Sequence, residues 1–206
     1  MIKTKTSSVL LIVSAPSGAG KTTLCNRLLR EDSGIQYSVS CTTRPPREGE
    51  VDGTHYHFMN NEEFDRHVQQ GEFLEFAEVH GCKYGTLKAH VCNMLSDGLD
   101  VLMDLDVQGA EQLRNNFRSQ KKMFDCSICY ADVFISPPSL EVLESRLRSR
   151  GLDQEGVIRV RLENAVEEMK HSSSFNYLIL NDDLDDSFDA LQSILTAERC
   201  RNGSHL

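Results

Sequence analysis

Residues 9–23 read VLLIVSAPSGAGKTT, an apolar run followed by a loop with two glycines and then Lys-Thr-Thr. The run has the length and composition of a buried strand, and the apolar spacing after the loop predicts a helix over residues 21–31. A strand that leads through a glycine-rich loop into a helix is typical of a phosphate-binding loop. Inward-facing backbone N–H groups and the helix N-terminus both favour an anion there. The stretch therefore predicts a nucleoside triphosphate ligand, and phosphoryl transfer or hydrolysis as the chemistry.

Individual residues of this loop have separate expected roles. Gly18 and Gly20 allow backbone angles that other residues resist. Lys21 is placed to reach the β- and γ-phosphates, and the Thr22 hydroxyl to bind Mg²⁺. The strict motif has Gly where this chain has Ala15, the smallest substitute. The predicted ATP-binding loop consists of Ser14, Ala15, Pro16, Ser17, Gly18, Ala19, Gly20, Lys21, Thr22 and Thr23. An ordinary glycine-rich turn is the alternative, which the flanking strand and helix disfavour.

Length and composition restrict the class of protein. A chain of 206 residues forms one or at most two domains and can bury a sizeable core. The formal net charge of −9 argues against a general nucleic-acid binder but not against an anionic ligand, which clustered Arg and Lys can hold. No apolar run is long enough for a signal peptide or a membrane span, so no membrane partner is expected.

Seven scattered cysteines predict reduced thiols and a cytoplasmic location rather than a disulfide framework. Cys126 and Cys129 form an isolated C-x-x-C without a second pair at zinc spacing. Two small residues near a strand is therefore the preferred interpretation, with a metal or redox site as the alternative. His55 and His57 alternate on an extended stretch and could share a metal, but ordinary exposed strand histidines are favoured because no third ligand is evident.

Strand and helix signals alternate along the chain, which predicts an α/β fold with a parallel sheet. Residues 52–86 depart from this pattern, since strand and turn signals dominate around a short helix at 61–70. This block is interpreted as an inserted lobe. The other predicted strands are 9–14, 36–41, 100–105, a strand within 123–135, and 177–180. The other predicted helices are 21–31, 86–97, 108–117, 139–150, 156–170 and 187–199.

Two carboxylates, Asp104 and Asp106, end the apolar strand at 100–105. Side chains alternate along a strand, so we expect both carboxylates on one side, in the crevice where an open α/β sheet binds ligands. One can organise the Mg²⁺ shell, directly or through water, and the other can bind substrate. A glycosidase-type acid and base pair is the alternative, and nothing else in the chain supports a sugar site.

Several arginines lie where they could neutralise phosphates. Arg44 and Arg47 flank Pro45-Pro46, whose rigid backbone could hold two guanidinium groups around a dianion. Arg146 and Arg150 are four residues apart and share a helix face, and Arg161 lies close to the buried stripe of the next helix. Such groups suit a triphosphate, although paired surface arginines are often simply solvated.

Several motifs together resemble the guanylate kinase family from about residue 9 to residue 199. They occur in the family's order, and several separate motifs in one order argue against chance similarity. The matching segments are Ser14–Thr22; SVSCTTRPPR at 38–47, followed by Gly49, Glu50, Gly53, Tyr56 and Phe58; FLEFA at 73–77; YGT at 84–86; DLDVQG at 104–109; PPS at 137–139; 146–151; and NDD at 181–183.

The resemblance implies transfer of the ATP γ-phosphate to GMP, with dGMP as a further candidate acceptor and Mg²⁺ as cofactor. It implies a P-loop core flanked by helices (1–38, 90–138 and 171–206), an inserted mixed α+β GMP-binding lobe (39–89) and a helical lid (139–170). The implied catalytic residues are Lys21, Arg44, Arg150 and Arg161. The implied GMP-binding residues are Ser40, Arg44, Arg47, Tyr56, Glu75, Tyr84, Thr86 and Asp106, with Glu75 reading guanine. Arg146 would lie near the adenine, and Asn181 near the ATP base or the lid. Thr22 and Asp104 would hold the metal, partly through water.

Two alternatives remain open at this point. A related small-molecule kinase could use the same loop with another acceptor, such as a ribose bisphosphate. A non-catalytic guanylate-kinase-like module could instead recognise phosphorylated protein segments, but such modules typically lack an intact phosphate loop. One departure from the family concerns residues 118–130, where the chain looks about ten residues longer by eye. A longer surface loop is the simplest explanation. The oligomeric state stays undecided.

Overall fold

A computed structural model describes residues 7–79, 81–119, 128–149, 151 and 154–201. It contains nine strands, seven α-helices and one 3-10 helix (Ser172–Ser174) within these ranges. The strands are β1 (Ser8–Ser14), β2 (Ile35–Tyr37), β3 (Cys41–Thr42), β4 (His57–Phe58), β5 (Phe73–Val79), β6 (Cys82–Leu87), β7 (Asp100–Asp104), β8 (Ile128–Ser136) and β9 (Tyr177–Leu180). The helices are α1 (Lys21–Glu31), α2 (Asn61–Gln69), α3 (Lys88–Ser96), α4 (Val107–Ser119), α5 (Leu140–Ser149), α6 (Glu155–Lys170) and α7 (Leu184–Arg199).

The main sheet has five parallel strands in the order β2-β7-β1-β8-β9. Every residue of the central strand β1 is buried, as expected for a parallel sheet covered on both faces. Its alternate residues pack in opposite directions: Leu11 joins a cluster with α1 and α7, and Ile12 joins one with α3 and α4. The predicted α/β class is therefore confirmed, and the carboxyl ends of these strands meet at one edge.

A second, smaller sheet has the order β4-β3-β6-β5. β3 runs parallel to β4 and antiparallel to β6, and β5 pairs antiparallel with β6, so this sheet is mixed. Its own core contains Cys41, Phe64 and Phe73. Separately, α5 and α6 pack together through Leu143, Leu147, Ile158 and Ala165. Leu140, one turn before Leu143 on α5, is 37% exposed.

The structure corrects three predicted elements. The single strand predicted at 36–41 is two strands, because β2 pairs with β7 in the main sheet and β3 pairs with β4 and β6 in the small one. The helix predicted at 86–97 begins at Lys88, since the two residues before it belong to β6. The last helix begins at Leu184 rather than 187, because the Asp183 side chain accepts two N–H groups of its first turn.

Several predictions concern residues that are only partly described. Cys126 and residues 120–127 of the longer segment lie outside the described residues. Cys129 is buried on β8, and six described cysteines are free thiols. Within the described ranges, no helix is long and apolar enough to cross a membrane.

Candidate active site

The loop between β1 and α1 forms the floor of a cavity of about 580 Å³. Gly18 and Gly20 both have positive φ, 97° and 98°, which only glycine adopts without strain. A side chain at position 20 would also overlap the amide of Asn181, whose Nδ2 donates to Ala19 O at 2.6 Å. Eight of the ten predicted loop residues line this cavity: Ala15, Pro16, Ser17, Gly18, Gly20, Lys21, Thr22 and Thr23. The other two, Ser14 and Ala19, are fully buried.

Glu168, on α6, also lines the phosphate cavity and was missed by the sequence analysis. Burial raises the pKa of its carboxyl, nearby Lys21 lowers it, and Asp106 raises it. On the helical pattern alone, this residue resembles any half-exposed glutamate. Only the packing of α6 over the loop places it beside the cavity.

Lys21 connects the phosphate cavity to the end of β7. Its Nζ forms an ion pair with Asp104 and donates to Leu105 O at 3.3 Å. The pairing follows from the topology, because β7 lies parallel to β1 and ends beside the loop that follows β1. Asp104 therefore lies at the carboxyl end of β7, beside the phosphate cavity, where the sequence pattern predicted it.

A second cavity, of about 270 Å³, opens between the two sheets. It brings together residues that are far apart in the chain: Tyr37, Ser40, Tyr56, Glu75, Ala77, Val79, Tyr84, Gly85, Asp104, Leu105 and Asp106. Six of them were predicted site residues. Asp104 and Asp106 lie in the same cavity, as expected, although β7 ends at Asp104 and Asp106 already caps α4 through the Gly109 N–H at 2.7 Å. Tyr37, from β2, was not predicted.

The Glu75 carboxyl is the most buried acidic group in this cavity, at 6% exposure. Its Oε1 accepts the Thr86 hydroxyl at 2.7 Å, and the Ser40 hydroxyl lies 3.4 Å from that of Thr86. Burial raises the pKa of Glu75 to about 7, partly offset by the Thr86 hydrogen bond and reinforced by Asp106. A buried carboxyl with a perturbed pKa in a cleft is a candidate ligand-binding group.

Arg44 lies beside the aromatic residues at the rim of this cavity. Its Nη2 donates to Glu50 Oε1 at 2.8 Å, and its guanidinium carbon lies 5.4 Å from the centre of the Tyr56 ring. The Arg44 hydrogen bond holds the pKa of Glu50 down at about 2, with help from the Arg47 backbone N–H. The Arg47 side chain is exposed. Tyr56 and Tyr84 meet edge to face at 5.9 Å between ring centres.

A third cavity, of about 290 Å³, adjoins the phosphate cavity and shares Gly18, Gly20 and Thr23 with it. Arg146, predicted near the adenine, and Asn181, predicted near the ATP base or the lid, both line it. The other lining residues are Gly18, Gly20, Thr23, Ser149, Asp182 and Leu184. Arg146 Nη2 donates to the carbonyls of Asn181 and Asp182, at 2.8 and 3.3 Å. Arg161 Nη1 lies 3.5 Å from the Ser17 hydroxyl, at hydrogen-bond distance. Arg150 lies outside the described residues.

The two histidines considered as metal ligands point to different partners. His55 Nδ1 accepts the Val51 N–H at 3.0 Å, and the His57 ring lies 4.7 Å from that of His90. Among the described residues, no group of three or more His, Cys, Asp or Glu side chains is arranged to hold a metal ion.

Comparison with known proteins places this geometry in a family. The guanylate kinase family model matches residues 7–198. Guanylate kinases of Alkalilimnicola ehrlichii and Rickettsia bellii are 48% and 42% identical, over 93% and 95% of this chain and 90% and 97% of theirs. The crystal structure of guanylate kinase from Anaplasma phagocytophilum superposes with a TM-score of 0.71 at 33% identity, covering 96% of this chain and 89% of that one. The chain therefore belongs to the guanylate kinase family, the P-loop enzymes that transfer the γ-phosphate of ATP to GMP.

Proposed function

We propose that the three cavities divide the two substrates between them: ATP phosphates over the P-loop, the ATP base beside Arg146 and Asn181, and GMP between the two sheets. The observation that carries this assignment is the position of Lys21, whose ammonium group is paired with Asp104. Asp104 lines the cavity between the sheets, and Lys21 lines the phosphate cavity. The two cavities thus meet where a phosphoryl group would pass from one to the other.

Guanine is the base that fits the second cavity best in this proposal. Guanine presents its N1–H and 2-amino group side by side, and an ionised Glu75 can accept both. Thr86 already donates to one carboxylate oxygen at 2.7 Å and so fixes the orientation of the group. Ser40 and Asp106 complete the polar surroundings. Adenine offers no such donor pair and would leave the buried carboxylate poorly satisfied, which is the basis of strong discrimination.

The GMP phosphate is assigned to Arg44, Arg47, Tyr56 and Tyr84. Three of these four are supported by their grouping, because Arg44 lies against Tyr56, and Tyr56 and Tyr84 line the cavity. The exposed Arg47 would have to turn inward when GMP binds. Glu50 holds Arg44 in the unliganded protein, so the phosphate would compete with this carboxylate for the guanidinium group.

Phosphoryl transfer to GMP does not require the protein to act as a general base. A phosphate monoester has a second pKa of about 6, so the attacking oxygen of GMP is already largely anionic at neutral pH. The enzyme must hold two mutually repelling anions in line and stabilise charge on the transferred group. We assign this role to Lys21, Arg44, Arg150 and Arg161. For Arg161 the supporting observation is its approach to Ser17 of the P-loop.

Mg²⁺ is the proposed cofactor, as is typical of the family. The Thr22 hydroxyl lines the phosphate cavity, and the Asp104 carboxylate lies beside Lys21 at its edge. Both are hard oxygen donors of the kind that Mg²⁺ prefers, with water and phosphate oxygens completing its shell. Bound there, the ion would neutralise charge on the β- and γ-phosphates. A cytoplasmic location and acceptance of dGMP also belong to the proposal; the free cysteines favour the first.

The first test is ADP release with ATP and Mg²⁺, offering GMP, dGMP, AMP, UMP and CMP separately, and ribose bisphosphates as a further acceptor class. Turnover with guanine nucleotides alone would support the assignment of the second cavity. Turnover with a ribose bisphosphate, or equal turnover with AMP, would contradict it. The matched variants are Glu75→Gln, expected to raise the KM for GMP while leaving that for ATP unchanged, and Glu78→Gln, a charge-matched exposed control on the same strand.

A further inference from the structure

Helix α4 contacts strand β5 on both sides of Glu75. Gln112 Oε1 accepts the backbone N–H of Phe76 at 2.6 Å. Asn116 Nδ2 donates to the backbone carbonyl of Leu74 at 2.9 Å. The two hydrogen bonds therefore hold the peptide groups immediately before and after the proposed guanine-reading residue.

The backbone at this point needs such support, because the β5–β6 pairing is irregular. The register shifts between Phe73 and Glu75, so the ladder is interrupted where the carboxylate must be aimed. At a bulge, some backbone groups lose their strand partners and the strand bends. Side chains from a neighbouring helix can satisfy those groups and fix the direction of the bend.

The same side of α4 also approaches the Glu75 carboxylate itself. A Cβ atom added at Gly109 would lie 3.3 Å from Glu75 Oε2 and 3.3 Å from Asp106 Oδ1. Residues 109, 112 and 116 are three or four positions apart and so lie along one side of the helix. This row faces β5, and the adjoining residues Ala110, Leu113 and Phe117 are buried in the core beneath the main sheet.

Helix α4 is thus packed in the core of the main sheet and also contacts the strand that carries Glu75. We propose that Gln112 and Asn116 are positioning residues for base selectivity: they hold β5 so that Glu75 meets both the N1–H and the 2-amino group of guanine. The proposal rests on the proposed role of Glu75. The two residues would set the orientation of the Glu75 carboxylate and take no part in phosphoryl transfer. Loss of their hydrogen bonds is therefore expected to weaken selectivity for GMP over other bases without changing ATP binding.

The test compares GMP with IMP, which keeps the N1–H and lacks the 2-amino group. Gln112→Leu removes the oxygen that accepts the Phe76 N–H and keeps a side chain of similar size. Gln112→Glu keeps an acceptor oxygen at this position. Asn116→Leu removes the donor, and Asn115→Leu changes an exposed residue of the same helix as control. Gln112→Leu and Asn116→Leu are each expected to lower the ratio of kcat/KM for GMP over IMP by about three- to tenfold, the range of one hydrogen bond. The KM for ATP should stay within twofold in all variants.

A merely structural role gives a different result. If Gln112→Leu only destabilised the helix, the folded fraction and kcat would fall while the GMP-to-IMP ratio stayed constant, and the proposal would be overturned. Recovery of the ratio in Gln112→Glu supports the acceptor role, and failure to recover it while Gln112→Leu loses it contradicts that role.

Combination with Glu75→Gln separates this inference from the proposal beneath it. If Glu75→Gln alone leaves the ratio unchanged, Glu75 does not read the base and both proposals fail. If it collapses the ratio, adding Gln112→Leu should lower it no further, because the positioned group is gone. A full additional loss in the double variant would show that Gln112 acts independently of Glu75 and would overturn the inference.

Discussion

Ionisation of Glu75 links the stability of the unliganded protein to pH. Burial raises the pKa of this carboxyl from 4.5 to about 7. Between these values the folded state binds more protons than the unfolded state, so this group favours folding at low pH and loses that contribution as pH rises through about 7. At pH 8 the folded protein must bury an ionised carboxylate.

Glu75→Gln is therefore expected to stabilise the unliganded protein at pH 8, by up to about 3 kcal/mol, and to have little effect at pH 4.5. Urea denaturation at the two pH values measures the difference. Glu78→Gln is the control, since that residue is exposed on the same strand. Equal effects of Glu75→Gln at both pH values would show that its pKa is not raised.

The same ionisation predicts the pH profile of catalysis. Only the ionised carboxylate accepts two hydrogen bonds, so kcat/KM for GMP should rise with pH through about 7. The second pKa of the GMP phosphate, about 6, adds an ionisation that is common to all variants. In Glu75→Gln the rise near 7 should vanish and only the phosphate step remain. A profile unchanged by the substitution would exclude Glu75 as its source.

Gly20 is under two separate constraints, its positive φ and the Asn181 side chain against it. Gly71 shares only the first: its φ is 65°, and an added Cβ would meet no atom within 4 Å. Gly71→Ala should therefore cost about 1–2 kcal/mol of unfolding free energy, the price of a left-handed alanine. Gly20→Ala should cost more and raise the KM for ATP, because Asn181 must move away from the Ala19 carbonyl. Thermal denaturation and steady-state kinetics distinguish the two; equal losses would remove the packing argument.

At the scale of elements, the start of α7 depends on one carboxylate. Asp183 Oδ1 accepts the N–H groups of Asp185 and Asp186, at 2.8 and 3.1 Å. Asp183→Ala should destabilise the protein by about 1 kcal/mol, whereas Asp183→Asn should retain most of the stability, since both residues cap helices well. Denaturant titration of the pair measures this. A loss as large in Asp183→Asn as in Asp183→Ala would point to charge rather than capping.

The bounds of helices and strands with one regular apolar periodicity could be predicted from the sequence. The bounds could not be predicted where the chain passes from one sheet to the other. β1 and α1 match their predicted bounds within one residue, because apolar spacing and the glycine loop are local signals. The predicted strand at 36–41 divides between two sheets, and nothing local marks the break. There the Ser38 N–H bonds to Leu102 of the main sheet, and the Ser40 carbonyl to His57 of the small one.

At the scale of the whole molecule, the two cavities that meet at Lys21 and Asp104 predict closure on binding both substrates. Transfer requires the phosphates to meet with water excluded, and the small sheet and the α5–α6 pair are the parts that could move over them. We expect the radius of gyration to fall with ADP plus GMP, an unreactive pair, and to fall less with either alone. Small-angle X-ray scattering measures this; equal values with and without both nucleotides would contradict closure.

The sequence by itself predicted the phosphate loop, the α/β class and the family motifs. Their residues are close in sequence, and their chemistry follows from type and spacing. The sequence did not predict the ion pair between Lys21 and Asp104. Nor did it predict that Glu168, Tyr37, Gln112 and Asn116 lie beside the site. Such contacts join elements distant in the chain, and they exist because strand order and helix packing bring those elements together. Periodicity identifies a buried face, but the neighbour of that face is a property of the assembled fold.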